Sequence, residues 1–419
     1  MTAPPLASGP QGPGALRPLL DTVLDALREG AEARGGPLPA GGPEAVAAMV
    51  RDALGEPLPA EGDPDALHRL VRALAAGTAD PADPLCAAHL HTPPLAVAAA
   101  ADLAASVLNP SLDSWDQAPA ASALEALVTR ALAEEIGAAD ALVTTGGTES
   151  NQLALLLARE AHPGVRLVCG ANAHHSLVRA AWLLGLPEPV VVPTPAVADL
   201  CRTHDARLHV DAAYGGGLLL SDRHRARLDG LARAHTVTLD LHKLGWQPVA
   251  AGLLAVRDTT DLAALDQRAD YLNADDDTEA GLPDLLGRSL RTTRRPDILK
   301  TAVTLKTLGR TGLGRLVDQV CALAQEFAAT VEAHPRYELY DPPTLSTVLF
   351  RPSGASDTAV AGIRRRLLHD GRAVLGRALL DDRLWLKTTL LNPHARPHDL
   401  TALLKLVDLA SLAEGHTPT

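Results

Sequence analysis

HVDAAYGGG (209–217) and TLDLHKLG (238–245) decide the fold. Each is a short apolar run that closes on polar residues and glycine, and the segment between them, 222–234, reads as one helix. Strand, helix and strand make a βαβ unit, whose two strands run parallel and end on the same edge of a sheet. Neighbouring strands stand roughly 5 Å apart, so Asp211 and Lys243 are expected to project into one cleft at the carboxyl edge. Outward from this pair, the same alternation of short apolar runs and helical segments begins at Ala141. It predicts strands near 141–144, 166–169, 190–192, 208–210, 236–239 and 252–256, an α/β pattern around a mostly parallel central sheet.

A lysine and an aspartate sharing a cleft suit pyridoxal phosphate. The lysine amine forms a Schiff base with the cofactor, and the carboxylate keeps the pyridine nitrogen protonated, which makes the ring an electron sink. An isolated Asp and Lys at strand ends would more simply form a salt bridge. The glycine run after Tyr214 and the adjacent His242 favour the cofactor, because glycine turns let a flat ring approach the backbone. Two further strand ends point into the same region. TTGGTESN (144–151) places Gly147 and Thr148 at a helix start, where backbone N–H groups and a hydroxyl can hold a phosphate, although the same residues also make an ordinary helix start. ANAHHSLVRAA (171–181) places His174 where it can stack on a ring and Ser176 where it can cap a helix or meet a phosphate.

Composition bounds the alternatives. Fifty acidic against 38 basic residues give a net charge of −12, which repels rather than steers a polyanion, so nucleic acid is not an expected partner. Cys86, Cys169, Cys201 and Cys321 are scattered without a CxxC pair, which suggests neither zinc nor disulfides and fits a reducing cytoplasm. His89 and His91 have metal-like spacing but no visible third ligand, so no metal is expected. The most apolar run, 95–108, carries Asp102 and is too short to span a bilayer, and the N-terminus lacks a signal pattern. The chain divides by texture into a disordered Pro/Gly-rich leader (1–17), an N-terminal helical segment (18–95), a large α/β domain (96–313) and a small C-terminal α+β domain (314–419).

With these residues in view, the order of HLHTPP (89–94), NPSLDSWDQAPAASALE (109–125), TTGGTESN (144–151), AHHS (173–176), HVDAAYGG (209–216), DLHK (240–243), TTRRPDILK (292–300) and LKTTLLNP (386–393) resembles the group II pyridoxal-phosphate-dependent amino-acid decarboxylases. Within them the chain is most similar to the bacterial L-2,4-diaminobutyrate decarboxylases, then to lysine and ornithine decarboxylases of siderophore pathways. The resemblance runs from about Leu85 to the C-terminus. It implies the type I, aspartate aminotransferase-like fold and a homodimer with the active site at the subunit interface. It implies that Lys243 binds pyridoxal 5′-phosphate, Asp211 pairs with the pyridinium nitrogen, His174 stacks on the ring, Ala213 packs beneath it, and Gly147, Thr148 and His242 surround the phosphate. The expected reaction is loss of CO2 from a small amino acid, with Asp113 and Asp116 as candidates to hold a distal ammonium. Another type I reaction on the same scaffold, that of a transaminase or lyase, or an inactive relative that scaffolds a partner, are the alternatives.

Two departures stand out. Only 32 residues separate Ser176 from His209, several tens fewer than the family pattern. Losing an edge strand costs less than losing an inner one, so 190–192 is expected to be the inner strand, with 196–204 as the crossover helix. The loop tyrosine that many aromatic-amino-acid decarboxylases use to protonate Cα is missing from 273–291, which leaves His174 or water as the acid.

Overall fold

The computed structural model describes residues 4–192, 201, 203–204, 206–267, 269 and 272–414. They form two compact units, one of residues 1–93 with 319–419 and the other of 94–318. The chain opens in the first unit with α1 (Gly12–Arg34), α2 (Gly42–Leu54) and α3 (Ala66–Gly77). The helical segment expected from residue 18 begins earlier, at Gly12 within the expected leader, because a proline in the first helical turn gives up no hydrogen bond.

The second unit holds α4 (Ala96–Leu108), α5 (Pro119–Glu134), β1 (Asp140–Thr144), α6 (Gly147–Ala161), β2 (Val168–Gly170), α7 (His175–Leu183), β3 (Val190–Val192), β4 (His209–Ala212), β5 (Thr236–Asp240) and β6 (Gly252–Val256). Four strands make one sheet in the order β1-β6-β5-β4. β4 and β5 are parallel, and β6 is antiparallel to both β5 and β1, so β6 is the one reversed strand. The alternating strands bury one face on Ala133, Ile136, Val143, Ala212, Val237, Leu239, Leu253 and Ala255. The other face meets α6 through Leu142, Leu153, Leu157, Leu254 and Val256.

Two expectations are corrected. The segment 222–234 is not an α-helix but two short 3₁₀ turns, Arg225–Leu228 and Leu231–Arg233, separated by Gly230 at φ 97°, a left-handed conformation that interrupts a right-handed helix. The parallel pairing of β4 with β5 survives this change. Second, β3 is not an inner strand: it pairs only with β2, in a separate two-stranded parallel ladder, and β4 has β5 as its only strand partner among the described residues. A strand that returns through one helix, here α7, most readily lies beside the strand it left. Most of the crossover expected at 196–204 lies outside the described residues.

After a short helix, α8 (Asp275–Glu279), the long helical stretch α9 (Ile298–Ala333) is broken at Gly309, whose backbone is non-helical. The chain then completes the first unit with β7 (Tyr337–Leu339), β8 (Thr347–Pro352), α10 (Asp357–His369), β9 (Gly376–Leu380), β10 (Arg383–Thr389) and α11 (Pro397–Ala413). Its antiparallel sheet, ordered β7-β8-β10-β9, packs on Phe327, Val331, Ile363, Leu403 and Val407.

Candidate active site

The site residues all lie in the second unit, on the face of the sheet beneath α6. Period-two alternation puts His209 and Asp211 of β4, and Thr236, Thr238 and Asp240 of β5, on that face, with His209 opposite Thr236 and Asp211 opposite Thr238. Polar side chains at alternate positions of otherwise apolar strands are the signal that marks it.

Just past β5, Lys243 turns back so that Nζ lies 2.9 Å from Oδ2 of Asp240, whose side chain is 2% exposed. Nε2 of His242 is 3.4 Å from the same oxygen, and its Nδ1 accepts the Ala251 N–H at 3.2 Å. Burial pushes the His242 imidazolium below its usual range, against the pull of Asp240. Oδ1 of Asp240 is buried without a hydrogen-bond partner among the described residues. Asp211, at the end of β4, is exposed but fixed at both oxygens: Oδ1 accepts the Ala213 N–H at 3.1 Å and Oδ2 accepts Nδ2 of Asn151 at 2.9 Å.

The start of α6 comes between these groups. Gly146 precedes the helix at φ 146°, and a Cβ there would lie 2.8 Å from Cε1 of His242. At Gly147 a Cβ would lie 3.1 Å from Cβ of Ala213 and 3.4 Å from Asp240 Oδ2. The helical ladder begins only with Ser150 N–H to Gly146 C=O, so the N–H groups of Gly147, Thr148 and Glu149 precede it. Glu149 folds back onto the N–H and hydroxyl of Thr145, at 2.6 and 2.8 Å, and pairs with Arg291 at 3.2 Å.

His174 caps α7 by accepting the Ser176 N–H, at 3.4 Å. Ser176 is therefore not the cap: it is buried and bonded to His174 Nδ1 and Asn151 Nδ2, both at 2.8 Å. Burial and the neighbouring His175 push the His174 pKa down, and the charges of Asp211, Lys243 and Asp240 all reach it. Lys243, Asp211, His174, Gly147, Ala213 and His242 are thus gathered in one region, with Thr148 exposed on the first turn of α6. Asp113 is engaged by Ser111 and by Thr293 at 3.2 Å, and Asp116 by Ser114. Asn151, His209 and Asp240 are the residues the motif reading passed over.

An L-2,4-diaminobutyrate decarboxylase from Rhizobium meliloti (strain 1021) is 37% identical over 77% of each chain, and residues 193–353 match the pyridoxal-dependent decarboxylase conserved domain. The chain belongs to the pyridoxal-dependent decarboxylases. A second decarboxylase named for L-2,4-diaminobutyrate, from Acinetobacter baumannii, is 28% identical over 76% of this chain and 78% of that one. Among solved structures, the glutamate decarboxylase domain of a diaminobutyrate-pyruvate transaminase and L-2,4-diaminobutyrate decarboxylase from Vibrio parahaemolyticus superposes with a TM-score of 0.84 at 27% identity, covering 97% and 98% of the two chains. Oryza sativa TDC with PLP and tryptamine superposes at 0.87 over 97% and 99%, and at 21% identity it speaks to the fold. The protein is a pyridoxal-phosphate-dependent amino-acid decarboxylase of the type I fold. The Rhizobium alignment runs over 382 positions but covers 77% of these 419 residues, so several tens of the relative's residues have no counterpart here.

The residues present fit this decarboxylase's cofactor. Two glycines clear a space that a Cβ would fill, helix-start N–H groups that precede the helical ladder suit a phosphate, and a lysine stands beside a buried carboxylate. No helix is long and apolar enough to cross a membrane among the described residues.

Proposed function

We propose that Lys243 carries pyridoxal phosphate through Nζ, with Asp211 at the pyridine nitrogen, His174 over the ring and Ala213 beneath it, and with Gly147, Thr148 and His242 around the phosphate. The observation that carries this assignment is the parallel register of β4 and β5, which brings the ends of both strands to the start of α6. When bound, the cofactor supplies a sink for the electron pair left as the bond from Cα to the carboxylate breaks and CO2 departs. Asp211, already oriented by two donors, offers a protonated ring nitrogen a carboxylate fixed in direction. Asp240 holds the Lys243 amine at the base of the cleft. His174, with Nδ1 committed to Ser176, has Nε2 left to give a proton to Cα; water is the other candidate donor.

The substrate in this reading is a small diamino acid, L-2,4-diaminobutyrate first, with lysine and ornithine to be compared. The relatives named for that substrate support it. A proton replaces the departing carboxylate on Cα, so the product of L-2,4-diaminobutyrate is 1,3-diaminopropane. We further read the protein as a cytoplasmic homodimer with its site at the subunit interface, on the family resemblance and on cysteines scattered along the sequence without a CxxC pair.

The test is an absorbance spectrum with pyridoxal phosphate before and after borohydride, for wild type and Lys243→Ala. A band at roughly 420 nm that borohydride abolishes in wild type and that Lys243→Ala lacks is the expected result. Release of CO2 with 1,3-diaminopropane then identifies the substrate. No such band in wild type favours the inactive-relative reading, for which the interrupted strand order beside β4 is the motivating observation.

A further inference from the structure

Asn151 lies in α6 at 0% exposure, and its carboxamide is saturated. Nδ2 donates to Oγ of Ser176 at 2.8 Å and to Oδ2 of Asp211 at 2.9 Å. Oδ1 accepts from Oγ1 of Thr238 at 3.1 Å and pairs with Nε2 of His209 at 2.8 Å. The chemistry fixes this orientation. An ionised Asp211 only accepts, so the amide nitrogen must face it and the oxygen must face His209. His209 Nε2 therefore carries its proton, which leaves Nδ1 to accept from Thr236 Oγ1 at 2.9 Å. Burial drives His209 down to about 4, so the imidazole is neutral, the only form that donates at one nitrogen and accepts at the other. In the other direction, Ser176 accepts from Asn151 and turns its own O–H toward Nδ1 of His174.

We propose that Asn151 is the positioning residue of the site: one amide, held from behind by His209 and Thr238, sets the direction of the Asp211 carboxylate and, through Ser176, of the His174 ring. The proposal rests on the reading above that Asp211 and His174 face the cofactor. Its physical basis is that one rigid amide with four partners leaves neither group free to rotate, so the ring nitrogen and the ring face are addressed by groups in fixed relation. The charged and titratable groups that act on this network are Asp211 itself, His175 beside His174, and, at and past the end of β5, Asp240 and Lys243.

The test is a titration of the cofactor-free protein with pyridoxal phosphate, followed by absorbance across the pH range in which the fold is intact. Asn151→Asp keeps the shape but sets a second carboxylate against Asp211. It is expected to bind the cofactor about tenfold more weakly near neutral pH, the scale of one lost hydrogen bond to a charged group. Acid should restore part of the affinity, because two adjoining carboxylates share a proton, and this gain relative to wild type is one that a merely structural asparagine would not show. A variant with wild-type affinity, or with weakened binding that keeps the wild-type pH profile, overturns the proposal. Should Asn151→Asp fail to fold, His209 decides: His209→Leu removes the donor behind the amide and should weaken binding several-fold, while His209→Gln, which keeps one, should recover most of the loss. Equal affinities for these two variants also overturn it. A wild type without a borohydride-sensitive band sinks the cofactor assignment itself, whereas a wild-type band with indifferent Asn151 and His209 variants sinks only the positioning role.

Discussion

Nζ of Lys243 lies 2.9 Å from Oδ2 of Asp240, and that carboxylate is 2% exposed. Removing the cation leaves a buried charge that, among the described residues, has His242, 3.4 Å away, to answer it. Lys243→Ala is therefore expected to lower the unfolding free energy of the cofactor-free protein by about 3 kcal/mol. Asp240→Asn in the same background should return part of that loss, because the uncompensated charge is gone. Urea denaturation of wild type, both single variants and the double variant measures the coupling. A double variant less stable than Lys243→Ala alone would show that the pair does not act in this way.

His209 makes stability depend on pH. Its pKa is lowered from 6.5 to about 4 by burial, so between those values the unfolded chain binds more protons than the folded one. Stability is then present in full above 6.5 and is lost as pH falls toward 4, by on the order of 3 kcal/mol. Burial also pushes down the pKa values of His174, His224, His235 and His242, which act in the same direction. The comparison with His209→Gln isolates the one contribution. The variant should lose less stability than wild type between neutral and mildly acidic buffer in urea titrations, and equal losses would contradict the assignment.

That Asp211 and Lys243 share one edge of the sheet was legible in the sequence, because one lies near the end of β4 and the other three residues past β5, and the ends of parallel neighbours share an edge whatever the connection looks like. The connection itself was not. Residues 222–234 are helical in composition, but the left-handed Gly230 breaks them into 3₁₀ turns. The place of β3 was not legible either, since strand order is a long-range choice and the run Val190–Val192 reads the same at an edge or in the middle. Asn151, His209 and Asp240 were missed for a different reason. Alternation in HVDA and TVTLD marks a polar face, but only the packing of α6 shows which helix residue completes it.

Gly146 is where backbone conformation and the site meet. At φ 146° and ψ −177° it occupies a region that residues with a Cβ rarely enter, and a methyl there would press on Cε1 of His242 at 2.8 Å. Gly146→Ala should cost about 2 kcal/mol in stability and, by displacing His242 and the start of α6, weaken pyridoxal phosphate binding. Thermal unfolding and cofactor titration separate the two effects. Wild-type binding in a destabilised Gly146→Ala would mean that neither His242 nor the start of α6 touches the cofactor.

Hydrogen exchange can read the open side of the sheet. β6 is buried along its whole length and pairs with β5 on one side and β1 on the other, whereas β4 pairs with β5 alone among the described residues. Among the described residues no strand borders the outer side of β4, and an exposed edge opens by smaller local fluctuations than a central strand. Amide exchange over His209–Ala212 should therefore run faster than over Gly252–Val256, in the cofactor-free protein and more narrowly once pyridoxal phosphate engages Asp211. If β4 instead proves as protected as β6, a further strand covers its outer edge, supplied either by this chain or by a second copy. Dilution distinguishes the two sources, since only protection by a second copy falls as the protein concentration falls.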